Sequence, residues 1–344
     1  MLDTSLAQMA ALAAPAATLS SRRPRCLAAR DRRRVRAFAR AATSTRRVAS
    51  DDAPSRDAEP EPIVEIGVGV GRRRALLLST AALASTLPFA DAFPALAAAL
   101  ASPSDGVVLV VGATGATGRR VVAQLRAKGF AVRAGSRDVK KASSLGLAAS
   151  GAELVQLDVL DPSSIAAAMS GVSAVVCATG FTPSFNIKRD NPAKVDHEGT
   201  DNLVAAATAP GSDVKKFVLV TSLLTNAKAA GQKDNDNYKF LNALGGVLDE
   251  KLAAELNLRA SGLDYTVVRP GGLSNEPESA VGNVIVRGED TTFGLESDPG
   301  REISRDTVAA VCVQALLSDK ASKRVVEIVA SPDAPASAPE TWFA

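Results

Sequence analysis

The glycines of Gly112-Ala113-Thr114-Gly115-Ala116-Thr117-Gly118 constrain this chain more than any other stretch, because of what flanks them. Val107 to Val111 runs directly before them, an unbroken apolar run of the kind found in a strand buried on both faces. Directly after them, Arg119 to Lys128 carries Val121, Val122 and Leu125 at helical spacing. The glycines therefore sit in a strand-to-helix turn, where backbone N–H groups and the positive end of the helix dipole meet a pyrophosphate without side chains in the way. A glycine triplet alone is ordinary turn chemistry. Strand, turn and helix in this order predict a dinucleotide held around Gly112, Thr114, Gly115, Ala116, Thr117, Gly118 and Arg119.

The segment around this turn alternates short apolar runs with helical patterns, which predicts an α/β fold with a doubly wound parallel sheet in one domain over residues 104–330. Strands are expected at Val107 to Val111, Ala131 to Ser136, Glu153 to Leu157, Ala174 to Cys177, Phe217 to Thr221, Tyr265 to Arg269 and Val325 to Val329. Helices are expected after Gly118 and at Pro162 to Met169, Lys194 to Thr208, Asp249 to Ala260 and Thr307 to Leu317. Leu273 to Glu302 reads as a long irregular stretch over the substrate crevice, and residues 331–344 as a flexible Pro/Ala tail.

The residues before the first strand have a different character. Residues 1–50 hold eleven arginines, no lysine and only Asp3 and Asp31 as acids, diluted in Ala, Ser and Thr. That composition is expected of an organelle transit peptide, here for the chloroplast, with a basic nucleic-acid arm as the alternative. In residues 51–103 an acidic spacer precedes Arg72-Arg73-Arg74 and the apolar stretch Ala75 to Ala90, which resembles a twin-arginine export signal. A longer stromal transit peptide or a membrane-surface anchor is the alternative reading. The net charge of the whole chain is +3, but residues 102–344 hold 25 basic and 28 acidic residues, a net of −3. A mildly acidic body argues against a nucleic-acid partner, which would need clustered Lys and Arg. His197 is the sole histidine, and neither Cys177 nor Cys312 has metal-ligand spacing, so no metal site is expected and both thiols read as buried.

At the end of the second strand an NAD enzyme usually presents an acid to the ribose hydroxyls; this chain has Gly135-Ser136-Arg137. Arg137 suits a 2′-phosphate through paired hydrogen bonds, with Ser136 beside it, so NADPH is the expected cofactor. Asp158-Val159 after the third strand suits the adenine, although Asp158 equally suits a helix cap. Ala178-Thr179-Gly180 ends the fourth strand with small residues that let backbone approach a ligand.

Taken with Gly112 to Arg119, the segments Val132 to Asp138, Leu157 to Asp161, Val195 to Asn202, Tyr265 to Leu273 and Ile303 to Ala309 resemble the atypical short-chain dehydrogenase/reductases over nearly all of residues 105–330. The nearest group is NmrA-like and includes plastid NAD(P)-binding proteins grouped with flavin reductase and biliverdin reductase B. The resemblance implies a Rossmann-type fold with NADPH across the strand ends and its nicotinamide near Pro270, Gly271 and Gly272. It also implies Ser222 and Lys251 as catalytic candidates, Lys251 binding the cofactor as well. One departure stands out. The family's proton-donating tyrosine precedes its lysine by four residues, and Val247 occupies that position here. Tyr238, followed by Asn242 and not by lysine, cannot make the motif, although a loop could still bring it to the crevice. Ser222 reads equally as a strand-end cap and Lys251 as a solvated helix charge. His197 reads as a surface or capping residue, and Arg305-Asp306 after Ser304 as helix-start architecture. Two functions follow as expectations. One is a reductase passing hydride from NADPH to a flavin, quinone or conjugated pigment; the other is an NADPH-binding scaffold or redox sensor. The partner is a small-molecule acceptor or a plastid protein, in the stroma, peripheral on the thylakoid membrane, or in the lumen if the export signal is used.

Overall fold

The computed structural model describes residues 106–182, 186, 188–243 and 245–344, all within one compact unit, Leu83–Ala344. The expected transit peptide and twin-arginine segment lie outside the described residues. In chain order the elements are β1 (Val107–Val111), α1 (Ala116–Ala127), β2 (Ala131–Ser136), α2 (Val139–Ser144), β3 (Glu153–Gln156), α3 (Pro162–Met169), β4 (Val172–Cys177), α4 (Gly199–Ala207), β5 (Lys216–Val220), α5 (Asp236–Asn242), α6 (Val247–Ala260), β6 (Asp264–Pro270), β7 (Gly272–Ser274), α7 (Glu278–Val281), β8 (Asn283–Gly288), β9 (Glu302–Ser304), α8 (Arg305–Leu317) and β10 (Arg324–Ser331).

These strands form one sheet in the order β3-β2-β1-β4-β5-β6-β10-β9-β7, with β8 also paired to β10. The first seven run parallel, and the order reverses between β1 and β4. That reversal leaves a crevice beyond the strand ends, where ligands of doubly wound sheets bind. Burial follows the pleat. Val108 and Val110 pack with Val121, Val122 and Leu125 of α1 and with Val308, Val311 and Leu316 of α8. Leu109 and Val111 point to the other face, against Ile165, Leu203 and Leu258 of α3, α4 and α6. Covering both faces is what turns β1 into an unbroken apolar run, and each such side chain contributes about 1.5–3 kcal/mol of burial.

The seven expected strands are all present. The segment read as irregular, Leu273 to Glu302, instead contains β8 and most of β7, and β8 and β9 run antiparallel to β10. β7 and β9 are three residues each, too short for a periodicity to register. The expected helix Lys194 to Thr208 divides into a π-helical turn, Ala193–Glu198, and α4. The chain end, expected as a loose tail, makes a short 3-10 turn at Pro339–Thr341 and buries Phe343 in the core beside α8. One aromatic side chain outweighs the Pro/Ala composition around it. Cys177 and Cys312 are both buried, and burial pushes both thiols up, Cys312 to about 12.

Candidate functional site

A cavity of about 620 Å³ opens at the ends of β1, β2, β3 and β4. The glycine turn forms its floor through Gly112, Thr114, Gly115, Ala116 and Thr117. The end of β2 contributes Ser136 and Arg137, and the segment after β3 contributes Asp158 and Val159. Ala178, Thr179 and Gly180, after β4, complete the wall. Four segments far apart in sequence thus converge where the resemblance implied a dinucleotide.

The three glycines serve different purposes. Gly112 has φ +77°, a conformation that disfavours side chains, and a Cβ on it would approach the Ala178 carbonyl oxygen to 2.9 Å. A Cβ on Gly118 would come within 2.3 Å of the Gly112 carbonyl oxygen, so the turn itself requires glycine there. Gly115 differs. As N-cap of α1 it has φ −70° and ψ 160°, open to any residue, and its Cβ would meet one atom only, the Gly112 oxygen at 3.1 Å. Beyond that atom lies the cavity, so what glycine keeps clear at Gly115 is room for a ligand. No side chain caps α1, and its first turn holds no acid, so its N–H groups and dipole face the cavity uncompensated. The residues present fit a dinucleotide phosphate.

Of the five charged residues that line the cavity, Arg137 and Asp158 are ion-paired. Arg137 Nη1 lies 2.9 Å from Asp190 Oδ1 with more than half of its side chain exposed. Lys141 and Asp138, from the start of α2, also line the wall; Asp138 caps that helix by accepting the Lys141 N–H at 2.9 Å. Asp158 is ion-paired with Arg189 and accepts the Leu160 N–H, while the cap of α3 is Asp161, which accepts the Ser163 N–H at 3.0 Å. The helix-cap alternative for Asp158 is therefore corrected, since Asp161 precedes Pro162 directly and takes that place.

The catalytic candidates do not converge on the cavity. Lys251 Nζ lies 2.7 Å from Asp196 Oδ1, both largely buried, and Asp196 also accepts the Phe181 N–H. This pair sits behind the wall, 3.8 and 3.9 Å from where a Cβ of Gly180 would be. Asp196 carried no signal in the sequence beyond its place in the Val195 to Asn202 segment; the π-helical turn points it inward. Ser222 follows the end of β5, half-buried and outside the lining. Tyr238 is the plainest correction: it is 5 % exposed, packed with Leu223, Leu224 and Leu248, and its hydroxyl donates to Asp249 at 2.7 Å, away from the cavity. Burial, reinforced by that carboxylate, holds the phenol above its ordinary pKa. Pro270, Gly271 and Gly272 do not line the cavity either, and a Cβ on Gly271 would strike the Arg301 carbonyl at 2.6 Å, a packing reason for that glycine. Lys251, Gly118 and Arg119 are likewise outside the lining. His197 bridges Glu250 at 2.9 Å and Asp201 at 3.2 Å on the helix surface.

Several lining residues were not expected. Phe181, Val195 and Leu160 add an apolar side with Thr182 next to Phe181, and Leu273 and Arg305 enter from β7 and the start of α8. Ser304 does cap α8, accepting the Asp306 N–H at 3.2 Å, and the Arg305 beside it also lines the cavity.

Comparison with known proteins agrees with this geometry. Residues 112–319 match the family model described as NAD(P)H-binding. An uncharacterised chloroplastic protein of Arabidopsis thaliana is 47% identical over 239 residues, covering 69% of this chain and 81% of its own. Protein TIC 62, chloroplastic, of Pisum sativum is 35% identical over 251 residues, covering 68% of this chain and 45% of its own length. A solved structure from Bacillus halodurans, described as an NAD-dependent epimerase/dehydratase, has 26% identity and a TM-score of 0.56 over 69% of this chain and 98% of its own. With the doubly wound sheet, the open glycine turn and these matches together, the chain belongs to the NAD(P)H-binding family of Rossmann-fold, oxidoreductase-like proteins.

Proposed function

We propose that this protein is an NADPH-dependent reductase of the chloroplast whose acceptor is a flavin, a quinone or a conjugated pigment. The observation that carries the reading is the continuous lining from the glycine turn through Ser136-Arg137 to Gly180, a length of wall suited to a whole dinucleotide. Arg137 and Lys141 stand together at the β2 end with no acid at position 136, which supports a 2′-phosphate there and so NADPH over NADH. Ser136, at 5 % exposure, adds a short hydroxyl beside them. Asp158 and Val159 would border the adenine, and Lys251 would approach the ribose beside Gly180.

The bound cofactor would supply hydride at its nicotinamide; the protein supplies position and a partly apolar wall at Phe181, Val195 and Leu273. Neither tyrosine presents a phenol to the cavity, since Tyr238 is committed to Asp249 and Tyr265 is buried in the core, and Lys251 is paired with Asp196. An acceptor whose reduced form takes its proton from water suits such a site better than a simple ketone. The chloroplastic relatives and the arginine-rich leader support a plastid address, with the stroma or the stromal face of the thylakoid favoured because NADPH is produced there.

The same committed pairs favour a second reading, an NADPH-binding scaffold or sensor for a plastid protein partner. Stopped-flow measurement of NADPH absorbance against a panel of flavins, quinones and pigments separates the two. Oxidation that saturates with one acceptor class is expected; tight binding without turnover across the panel would sink the reductase and leave the scaffold.

A further inference from the structure

Ion pairs compensate Arg137 and Asp158 in the cavity lining and Lys251 with Asp196 behind it, but neither Lys141 at the β2 end nor Arg305 at the opposite side, beside β7. Its Nη1 donates to the Leu273 carbonyl and to Asn275 Oδ1, each at 3.0 Å, and among the described residues no carboxylate pairs with it. The acid next to it, Asp306, is turned away: Arg120 Nε holds Asp306 Oδ1 at 2.9 Å, and Gln124 holds the Asp306 carbonyl at 2.8 Å. Arg305 is therefore partly buried without a counter-ion, with a second guanidinium nearby. Burial first, and then the Arg120 charge, holds Arg305 below its ordinary pKa. A cation in that state gains more from an incoming anion than a solvated one does, because less water must be displaced and a repulsion is relieved. The surroundings are built for such an anion. Arg305 lines the same cavity as Thr114, Gly115 and Thr117, at the uncapped start of α1. The pairing of β7 with β9, Leu273 opposite Ile303, fixes Arg305 in this position.

We propose that Arg305 is a phosphate-reading residue of this site: its guanidinium binds a phosphate group lodged in the cavity beside the glycine turn. Resting on the NADPH-reductase reading, the assignment has two sources of the same chemistry, the cofactor's pyrophosphate and the phosphate of an acceptor such as flavin mononucleotide. Either way Arg305 sets specificity, for the dinucleotide in the first case and for phosphorylated over unphosphorylated acceptors in the second.

Equilibrium binding tests this without requiring turnover. Arg305→Gln removes the charge and keeps a donor for the Leu273 carbonyl; Arg305→Lys keeps the charge. NADP⁺ affinity is measured first, then the affinities of flavin mononucleotide and riboflavin for the NADP⁺-loaded protein. If the phosphate is the cofactor's, Arg305→Gln weakens NADP⁺ about tenfold or more, the value of a charge-assisted hydrogen bond. If it is the acceptor's, NADP⁺ binding stays unchanged, the wild type prefers flavin mononucleotide over riboflavin, and Arg305→Gln erases that preference. In both cases Arg305→Lys loses less than Arg305→Gln. Unchanged NADP⁺ affinity together with absent or phosphate-blind flavin binding overturns the assignment. So does an equal loss in both variants accompanied by lowered melting temperatures, which would make the residue structural. A protein that binds these ligands through Arg305 yet oxidises no NADPH would overturn the reductase reading and leave Arg305 in place.

Discussion

Two arginines of this protein, one in the core and one at the cavity, are treated in opposite ways. Arg269, near the end of β6, is wholly buried and meets Glu255 at 2.6 Å, Asp290 at 2.8 Å, Glu289 at 3.3 Å and Glu327 at 3.5 Å. Thr221 and Thr225 donate to Glu255, and the backbone N–H groups of Asp290, Thr291 and Thr292 donate to Glu327. The network ties β5, α6, β6, β10 and the segment after β8 together, and the Arg269 head group is saturated. Arg305 borders an open cavity and has only neutral acceptors. A guanidinium whose hydrogen bonds are all answered within the protein fastens elements; one left electrically unanswered beside open space is available to a ligand.

The contrast predicts that changes behind β6 act on stability and changes in front of β1 act on binding. The largest effect is expected from Arg269→Met. It leaves Glu255 and Glu327 buried without their cation and should cost about 3–5 kcal/mol in denaturant unfolding. A variant as stable as the wild type would break the comparison at once. Next is Gly115→Asp. Aspartate is a favoured N-cap, so the melting temperature should hold, while a carboxylate facing the pyrophosphate should weaken NADPH about a hundredfold. Undiminished NADPH affinity in that variant would remove the glycine turn as the phosphate site. Arg137→Ala should weaken NADPH about tenfold and NADH far less, read by paired titrations; equal losses would cancel the 2′-phosphate assignment.

The smallest effect concerns pH. Burial pushes the Glu327 carboxyl above its ordinary value of 4.5, despite the three backbone donors and Arg269. A raised carboxyl contributes stability that is full below the unfolded value and is lost as pH rises through the folded one. Unfolding free energy measured upward from pH 4.5 should therefore show a falling contribution that Glu327→Gln flattens. Parallel pH profiles for the two proteins would mean that Glu327 does not titrate above its unfolded value.

Much of the cavity lining was legible because it is local. Gly112 to Thr117, Ser136-Arg137, Asp158-Val159 and Ala178 to Gly180 each follow a parallel strand, and the central strands β1 and β4, buried on both faces, announce themselves as apolar runs. The side formed by β7 and the start of α8 was not legible. Arg305 and Leu273 reach the cavity through β7 and β9, whose partners lie about thirty residues apart and whose length shows no period. Tyr238 and Lys251 look like chemistry in one dimension; in three, Asp249 and Asp196 engage them.

By itself the sequence determined the doubly wound sheet, the glycine turn at its reversal and the residues ending each strand, because period, apolar run and turn chemistry are written over a few consecutive residues. Only the tertiary structure decided which charges are spent and which remain open. Pairing depends on partners brought from distant segments, as Arg120 draws Asp306 away from Arg305 while four carboxylates close around Arg269.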